Sequence, residues 1–293
     1  MQVWLKFWLN SLRLARIKII WTAHNLIPHK SIFNNDFAMR KYLITHCAAV
    51  IALSEQSKFD LISSFEAKNV VVIAEGAISH PTTYSREAMK ALLGVGEDQI
   101  LLIALGHLAP YKGIEELINA AVGFSPEIAL RIAGWCDPEY TAKLKILVRE
   151  SNLAGANIQI NFGRLVDNLY GGYLHAADFY IAPFNQVTNS GSINAALTAG
   201  LPAIIPDLNS LSWVPEKSAI RFSVELDRVS ALTSIVNSVK NIPQGKLVEL
   251  RQGASDFNES HNWALVATLH HQIYEKMIGQ RDELRSFRRN MWG

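Results

Sequence analysis

The segment most informative about the fold reads Ala177-Asp178-Phe179-Tyr180-Ile181-Ala182-Pro183-Phe184, then a short polar linker, then Asn189-Ser190-Gly191-Ser192, Ile193–Ala199 and Gly200-Leu201-Pro202. The apolar run predicts a strand that ends at Phe184, and the small residues around Gly191 predict the start of a short helix that Gly200 ends. Free N–H groups at such a helix start attract phosphate, and glycine lets the anion approach closely. An ordinary capped helix explains the same residues, so the rest of the chain has to decide between a phosphate site and a cap.

Size and composition are those of a globular chain. Its 293 residues are 49% hydrophobic and 18% charged, which is enough for two domains or one large one. The net charge is only +2, and no Lys/Arg-rich face predicts nucleic-acid binding. Cys47 and Cys136 stand far apart, which argues against a disulfide framework or a zinc site and favours a reducing cytoplasm. No uncharged apolar run has the length to span a bilayer, and the basic N-terminus lacks a signal-peptide cleavage site.

From Ile17 onward the sequence alternates short apolar runs with helical patterns, which predicts parallel sheets covered on both faces. The predicted strands are Ile17–Trp21, Ala49–Leu53, Val70–Ala74, Ile100–Leu105, Ala129–Ala133, Ile158–Phe162, Asp178–Pro183 and Ala203–Ile205. The predicted helices between them are Asn35–Thr45, Glu55–Phe65, Ile114–Val122, Pro138–Ser151, Asp167–His175 and Gly191–Ala199, followed by three more at 228–240, 247–257 and 262–278. The polar stretch 79–96 separates a thin first sheet from a nearly complete doubly wound unit. The predicted domains are therefore 1–85, 86–258 and a C-terminal helical segment and basic tail, 259–293, that returns towards the first domain.

The first helix has an unusually wide apolar face, with Trp4, Phe7, Trp8, Leu12 and Ala15 on one side at helical spacing. Packing of this face on the chain's own sheet is one interpretation, and docking of Val3–Ala15 on a membrane or a partner chain is the other. The basic tail leaves a choice between a solvated terminus and contact with an anionic membrane, through Arg281, Arg285, Arg288, Arg289 and Trp292. The expected location is the cytoplasm, either free or peripheral at the inner face of the membrane.

Residues able to bind a ligand follow the first predicted strand, and ligands of doubly wound sheets bind beyond the carboxyl ends of the strands. This loop carries His24, Asn25 and His29. A histidine at a cleft edge can donate a hydrogen bond or carry a proton. His24 either does this or merely caps its loop.

Later strand ends add a cation and several glycines. Lys112 and His107 lie between Gly106 and Gly113, and Gly134-Trp135 and Gly163–Asp167 follow the next two strands. A helix start that can bind an anion, a lysine and glycine-containing loops at the strand ends of one sheet suit a nucleotide diphosphate. The sequence has neither a Gly-x-Gly-x-x-Gly nor a Walker loop after a strand, which disfavours a dinucleotide dehydrogenase or a P-loop NTPase, and no acid cluster predicts a divalent metal site.

Taken in order, these segments resemble glycosyltransferase family 4, whose members are retaining enzymes with the GT-B fold. The segments that carry the resemblance are His24-Asn25, Gly106 to Lys112-Gly113, Arg131-Ile132-Ala133-Gly134, Phe162-Gly163, Ala177-Asp178 with Pro183, Asn189-Ser190-Gly191 and Gly200-Leu201-Pro202. They are evenly spaced over 17–207, and Trp263 and Tyr274 stand where the family's closing helix would lie. The resemblance implies an α/β, GT-B-like fold with two Rossmann-like parallel-sheet domains facing a cleft, the N-terminal one incomplete.

The resemblance also implies a UDP- or GDP-sugar donor on the second domain, a lipid-linked or polysaccharide acceptor on the first, and no separate cofactor. Lys112 would neutralise the donor diphosphate and His24 would sit by the transferred sugar, which makes these two the candidate catalytic residues. A helix N-terminus and a lysine would stabilise the leaving diphosphate without a metal. The further candidates are Asn189, Ser190, Gly191, Ser192 and His107 for the diphosphate, Gly163 to Val166 for the base, and Asn25 and His29 for the acceptor.

Three departures from the family pattern stand out. The positions where the family has a pair of glutamates are here about Val187 and Ala195, neither of which is acidic. The position of the arginine that commonly accompanies the lysine is here His107 or Ala109. A single helix precedes the histidine strand, where the family has several βα units, so that half-domain is either absent, supplied by another polypeptide, or lost in a truncated relative. The primary hypothesis is a retaining, hexosyl-type glycosyltransferase. The alternative is a non-catalytic or partner-dependent nucleotide-sugar-binding subunit of a glycosyltransferase complex.

Overall fold

The computed structural model describes residues 2–28, 31–225 and 227–292, the last thirteen of them (280–292) by their backbone only. The chain divides into two compact units, Met1–Gly76 with His261–Gly293, and Ala77–Ser260. The divisions predicted from the sequence lie after residues 85 and 258. The difference arises because residues 77–85 are bonded to the second unit: Ile78 N–H donates to Asn194 Oδ1 at 2.9 Å, and Thr83 N–H donates to Asn168 Oδ1 at 2.8 Å.

The first unit is built on a three-stranded parallel sheet. Its first six elements are α1 (Gln2–Leu14), β1 (Ile19–Ala23), α2 (Asp36–His46), β2 (Cys47–Ala52), α3 (Glu55–Phe65) and β3 (Val70–Val72). The strand order is β1-β2-β3, and the second half of the central strand β2 is buried on both faces. β1 begins later than the predicted Ile17 because Arg16 adopts a left-handed conformation (φ 58°) that ends the preceding segment in a turn.

Helix α1 lies along α2, as two contacts show. Asn10 Oδ1 lies 3.1 Å from His46 Nε2, and Lys6 Nζ lies 5.2 Å from the centre of the Tyr42 ring. Leu9 is the residue of α1 that is fully buried. Of the apolar face predicted from the sequence, Leu12 is half-buried and Trp4, Phe7, Trp8 and Ala15 are exposed in the described part of the chain. Val3 and Leu14 are exposed as well.

The second unit carries a six-stranded parallel sheet with helices on both faces. Its elements are α4 (Arg86–Leu92), β4 (Ile100–Leu105), α5 (Ile114–Ala120), β5 (Ile128–Gly134), α6 (Pro138–Leu153), β6 (Ile158–Phe162), α7 (Asp167–Ala176), β7 (Phe179–Ile181), α8 (Gly191–Thr198), β8 (Ala203–Pro206), β9 (Ala219–Phe222), α9 (Arg228–Ser238) and α10 (Gln244–Ser260). The strand order is β6-β5-β4-β7-β8-β9, and each pair of neighbours is parallel. The prediction of a doubly wound parallel sheet is confirmed.

The sequence did not predict α4 and β9. α4 is short, lies in the polar stretch 79–96, and has only Met89 and Lys90 buried among its seven residues. β9 carries Arg221 in its centre, and this charge interrupts the apolar run that marks a buried strand. The structure accommodates it because Arg221 donates from Nε to Glu216 and from Nη2 to the carbonyls of Leu211 and Val214.

The last helix, α11 (Trp263–Trp292), belongs to the first unit. Val266, Ile273 and Met277 pack with Ile51 and Ile73 of its sheet region, which places one side of α11 on that sheet. The arginines predicted as a basic tail, and Trp292, lie outside the residues whose side chains are described. Within the described residues, no helix combines the length and the apolar character needed to cross a membrane.

Candidate functional site

Three neighbouring strands of the second unit end in glycine. Gly106 follows β4, Gly134 ends β5 and Gly163 follows β6. Their backbones are joined, because Gly106 N–H donates to the carbonyl of Ala133 at 3.0 Å and Gly163 N–H donates to that of Gly134 at 3.0 Å. A Cβ on Gly134 would lie 1.6 Å from the carbonyl oxygen of Gly106, so the strands can approach this closely only with glycine there.

A cavity of about 260 Å³ opens at these glycines. Two pairs of rings line it: the His107 ring stacks on Trp135 with centroids 5.0 Å apart, and the His80 ring packs on Tyr170 at 4.3 Å. Burial raises the pKa of Tyr170, so its hydroxyl stays protonated. A lining that contains four flat rings suits a planar, aromatic ligand.

Polar side chains border the same cavity. Asp167 and Arg164 line it, and Asp167 Oδ1 lies 3.5 Å from His80 Nδ1. The Asp167 carboxylate is otherwise open to solvent. It can therefore accept hydrogen bonds from N–H groups of a bound ring.

The start of α8 is fixed by hydroxyl groups. Ser190 caps the helix by accepting from Ile193 N–H at 3.3 Å, and its hydroxyl lies 3.2 Å from that of Ser192. Ser192 hydrogen-bonds Tyr180, whose hydroxyl donates to the carbonyl of Leu105 at 3.1 Å; burial raises the pKa of Tyr180 to about 12. Both serine hydroxyls are thus engaged within the protein, and the N–H groups of Gly191 and Ser192 have no acceptor among the described residues. These N–H groups are the donors left for an anion.

Lys112 brings a positive charge to this helix start. Its Nζ and the Cβ of Ser192 lie 3.7 and 3.8 Å from the position that a Cβ on Gly106 would occupy. Burial lowers the pKa of Lys112 to about 8. No carboxylate lies within 4 Å of this amine in the described part of the chain, and the contact it makes is with the Phe184 ring, 5.2 Å to its centre. A half-buried ammonium without a carboxylate partner favours an anion beside it.

The loops that carry Lys112 and α8 are tied together. Asn185 N–H donates to the carbonyl of Tyr111 at 2.9 Å, and Arg228 Nη2 donates to the carbonyls of Pro183 and Phe184 at 2.8 and 2.9 Å. Gly113 faces Pro183, whose carbonyl oxygen lies 2.0 Å from where a Cβ would stand. The lysine is therefore held at a fixed distance from the loop that leads into α8.

The structure brings together most of the residues predicted for the second domain. His107, Lys112, Gly163, Ser190, Gly191 and Ser192 lie at the carboxyl ends of the strands of one sheet, and Asn189 is half-buried in the loop before α8. Val166 is not among the residues that line the cavity; it lies at the start of α7 and is 69% exposed.

The acceptor-side residues lie in the first unit. His24 is exposed and Asn25 is half-buried, directly after β1. His29 lies outside the described residues. The family's acidic positions remain apolar in three dimensions, because Ala195 is buried and Val187 packs against the core of the second unit.

Several cavity residues were not predicted as site residues. Asp167 and Trp135 were recognised only as members of the loops after β6 and β5, and Tyr170 and His80 were not singled out at all. Tyr170 lies one turn into α7, and its distance from the strand end hid it in the sequence. His80 comes from the segment before α4, far from the strands in sequence, and only the packing of 77–85 on the second unit brings it to the cavity. No local sequence signal would have found His80.

Solved structures of glycosyltransferases have the same fold. Sucrose-phosphate synthase of Thermosynechococcus elongatus superimposes with a TM-score of 0.76 at 20% identity, over 92% of this chain and 71% of that one. Anabaena HepE, in complex with UDP and glucose, gives 0.75 at 16%, over 94% and 76%. WaaG, a glycosyltransferase involved in lipopolysaccharide biosynthesis, gives 0.70 at 14%, over 89% and 79%. The chain therefore has the GT-B fold, as predicted.

Curated relatives agree with this class. GDP-mannose:glycolipid 4-beta-D-mannosyltransferase of Xanthomonas campestris pv. campestris is 24% identical over 184 residues, which cover 61% of this chain and 49% of the relative. The chain spans about half the length of the curated relatives it matches. No protein-family model matches it. The predicted resemblance to glycosyltransferase family 4 is confirmed by these relatives together with the fold.

Proposed function

We propose that this protein transfers a sugar from a nucleotide-sugar donor to a lipid-linked or polysaccharide acceptor. The observation that carries the proposal is the joint position of Lys112 and the start of α8 at Gly106, with a flat-walled cavity at the adjacent strand ends. A diphosphate at Gly106 would meet one ammonium and the free N–H groups of Gly191 and Ser192. The base would enter the cavity that Trp135 and Tyr170 help to line.

In this reaction the bond between C1 of the sugar and the diphosphate oxygen breaks, and its electron pair stays on the diphosphate. The acceptor hydroxyl oxygen forms the new bond to C1, and its proton passes to the leaving diphosphate, directly or through a base such as His24. Negative charge grows on the diphosphate as it leaves, so Lys112 and the N–H groups of α8 bind the transition state better than the ground state. These groups supply the stabilising charge, and the proposal needs neither a metal nor a cofactor.

The proposed donor carries guanine. Guanine presents adjacent N1–H and N2–H donors on one edge, and a carboxylate such as Asp167 can accept both, whereas uracil presents one N–H. Asp167 lines the cavity with a solvent-accessible carboxylate. The curated relatives that this chain resembles are named for GDP-mannose, which supports the same choice.

Changing Asp167 to asparagine should lower GDP affinity roughly tenfold or more, because charge-assisted hydrogen bonds to the base are lost. UDP affinity should change little. Isothermal titration with both nucleotides measures the two effects. The matched control is Asp137→Asn, since Asp137 is an exposed aspartate at the start of the helix that follows the neighbouring strand β5. Equal losses of GDP and UDP binding in Asp167→Asn would argue against base recognition by this carboxylate.

We propose that His24 acts on the transferred sugar or on the acceptor hydroxyl, and that Asn25 and His29 serve the acceptor. An imidazole can accept a proton near neutral pH, and His24 is exposed at the end of a parallel strand. His24→Ala should leave GDP affinity unchanged and lower the rate of transfer roughly 10²- to 10⁴-fold, the usual contribution of a positioned acid or base. The control is His271→Ala, since His271 is an exposed histidine on α11. Normal turnover in His24→Ala would make His24 a structural residue.

The proposed stereochemical outcome is retention, which the resemblance to family 4 supports. The name of the curated relative specifies a β-linked mannose. GDP-mannose is an α-linked donor, so an α-linked product would mean retention and a β-linked product would mean inversion. NMR of the product distinguishes the two anomers. Nucleotide binding without donor hydrolysis or transfer, even with a supplied acceptor domain, would favour a non-catalytic binding subunit instead.

A further inference from the structure

The exposed side of α1 is aromatic. Trp4 is 65% exposed, Phe7 70% and Trp8 46%, and the two tryptophan rings stack with centroids 6.3 Å apart. Val3 and Leu14 extend the same surface. We call these five residues the α1 apolar face. Exposed aromatic residues concentrated on one side of a helix are unusual for a surface that faces only water.

The charged residues around this face are all basic. The first acidic residue of the chain is Asp36, and the residues before it include Lys6, Arg13, Arg16 and Lys18. All four are exposed. An aromatic face flanked by lysine and arginine, with no acid nearby in sequence, is the composition of helices that lie in the interface of an anionic bilayer.

The charge also disfavours a second copy of this chain as the occupant. A symmetric contact through α1 would bring two identical basic segments together, and their like charges would repel. An anionic lipid surface has the opposite charge, and its interface accepts tryptophan and phenylalanine rings.

We propose that α1 is a membrane-docking helix that inserts Trp4 and Phe7 into the interface of an anionic bilayer while Lys6, Arg13 and Lys18 contact the lipid headgroups. The helix is held on α2 for this role by the contacts of Asn10 with His46 and of Lys6 with Tyr42, and its Leu9 is buried. The proposal does not depend on glycosyl transfer, because membrane binding is measured without donor or acceptor.

The test is co-sedimentation of the full chain with vesicles of phosphatidylcholine, alone or with about 30% phosphatidylglycerol. Wild type should bind the anionic vesicles and bind the neutral ones far less. Trp4→Ser/Phe7→Ser should lower binding roughly tenfold or more, because buried apolar area is lost. Arg13→Gln/Lys18→Gln should lower it roughly 25-fold at low salt, at about fivefold for each cation near the surface.

The matched control is Ile146→Ser/Leu153→Ser, which removes two exposed apolar side chains from α6 and should bind as wild type does. Thermal melting of every variant checks that it is folded. The proposal is overturned if wild type does not bind anionic vesicles, or if Trp4→Ser/Phe7→Ser binds them as tightly. Sedimentation velocity that shows a dimer abolished by the same substitutions would assign the face to a second copy instead.

Discussion

Replacing Lys112 by methionine should weaken GDP binding by ~1–3 kcal/mol, roughly 5- to 150-fold, the range for loss of a charge-assisted contact. Methionine keeps the length of the side chain and its contact with Phe184, so the change removes mainly the charge. Folding should be preserved or slightly improved, because burial already disfavours the ammonium in the free protein. Isothermal titration measures the affinity, and thermal melting measures the stability.

A suitable control is Lys145→Met. Lys145 also lies over an aromatic ring, Phe162, at 5.6 Å to its centre, but on α6 and exposed. Its loss should not change GDP affinity. If Lys112→Met and Lys145→Met bind GDP equally well, Lys112 does not contact the diphosphate and the proposed donor site is wrong.

The same lysine makes the binding dependent on pH. Burial lowers the pKa of Lys112 to about 8 in the free protein, and a bound diphosphate raises that pKa because it stabilises the ammonium. GDP affinity is therefore fully present below pH 8 and is lost as the pH rises through 8, by up to about tenfold per pH unit, until the pKa of the bound form is reached. Lys112→Arg should remove this fall, because a guanidinium stays charged. Titrations at about pH 7 and about pH 9 measure it.

Replacing Gly134 by alanine should lower the free energy of unfolding by about 3–5 kcal/mol, the range of severe backbone and packing defects. The added Cβ would lie 1.6 Å from the carbonyl oxygen of Gly106 and 2.7 Å from its carbonyl carbon. Backbone cannot move aside as a flexible side chain can, so β4 and β5 must separate at their carboxyl ends. Because Gly106 borders Lys112 and Ser192, GDP binding should fall as well. Urea unfolding and a thermal shift with GDP measure both effects.

The control Gly155→Ala measures the cost of backbone strain where the added Cβ meets no neighbouring atom. Gly155 also has a positive φ of 101°, but nothing lies within 4 Å of its added Cβ. Its cost should be about 1–3 kcal/mol, that of a strained backbone conformation alone, with GDP binding unchanged. If Gly134→Ala is no less stable than Gly155→Ala, the close approach of the two strands does not constrain this edge of the sheet.

The parallel sheet of the second unit could be predicted because its strands carry continuous apolar runs, and a strand covered by helices on both faces needs such a run. The start of α8 could be predicted because Ser190 and Gly191 are a local helix-start signal. β9 was not predicted because Arg221 interrupts its apolar run. The hydrogen bonds of Arg221 to Glu216 and to the carbonyls of Leu211 and Val214 form only in the folded chain. Arg131 in β5 is buried in a similar way, since it donates to the carbonyls of Leu93 and Gly94, but its strand was predicted because the apolar run around it is longer.

The class of fold, the order of the strands along the chain, the helix start at Gly191 and the position of Lys112 after β4 could all be predicted from the sequence. These features depend on apolar periodicity and on residues next to one another in the chain. Tertiary structure alone decided that His80 lies at the cavity, that Gly134 approaches the backbone of Gly106, and that burial depresses the pKa of Lys112. It also decided which side of α1 is left uncovered. Each of these depends on segments that are distant in sequence, and no local pattern encodes the distance between them.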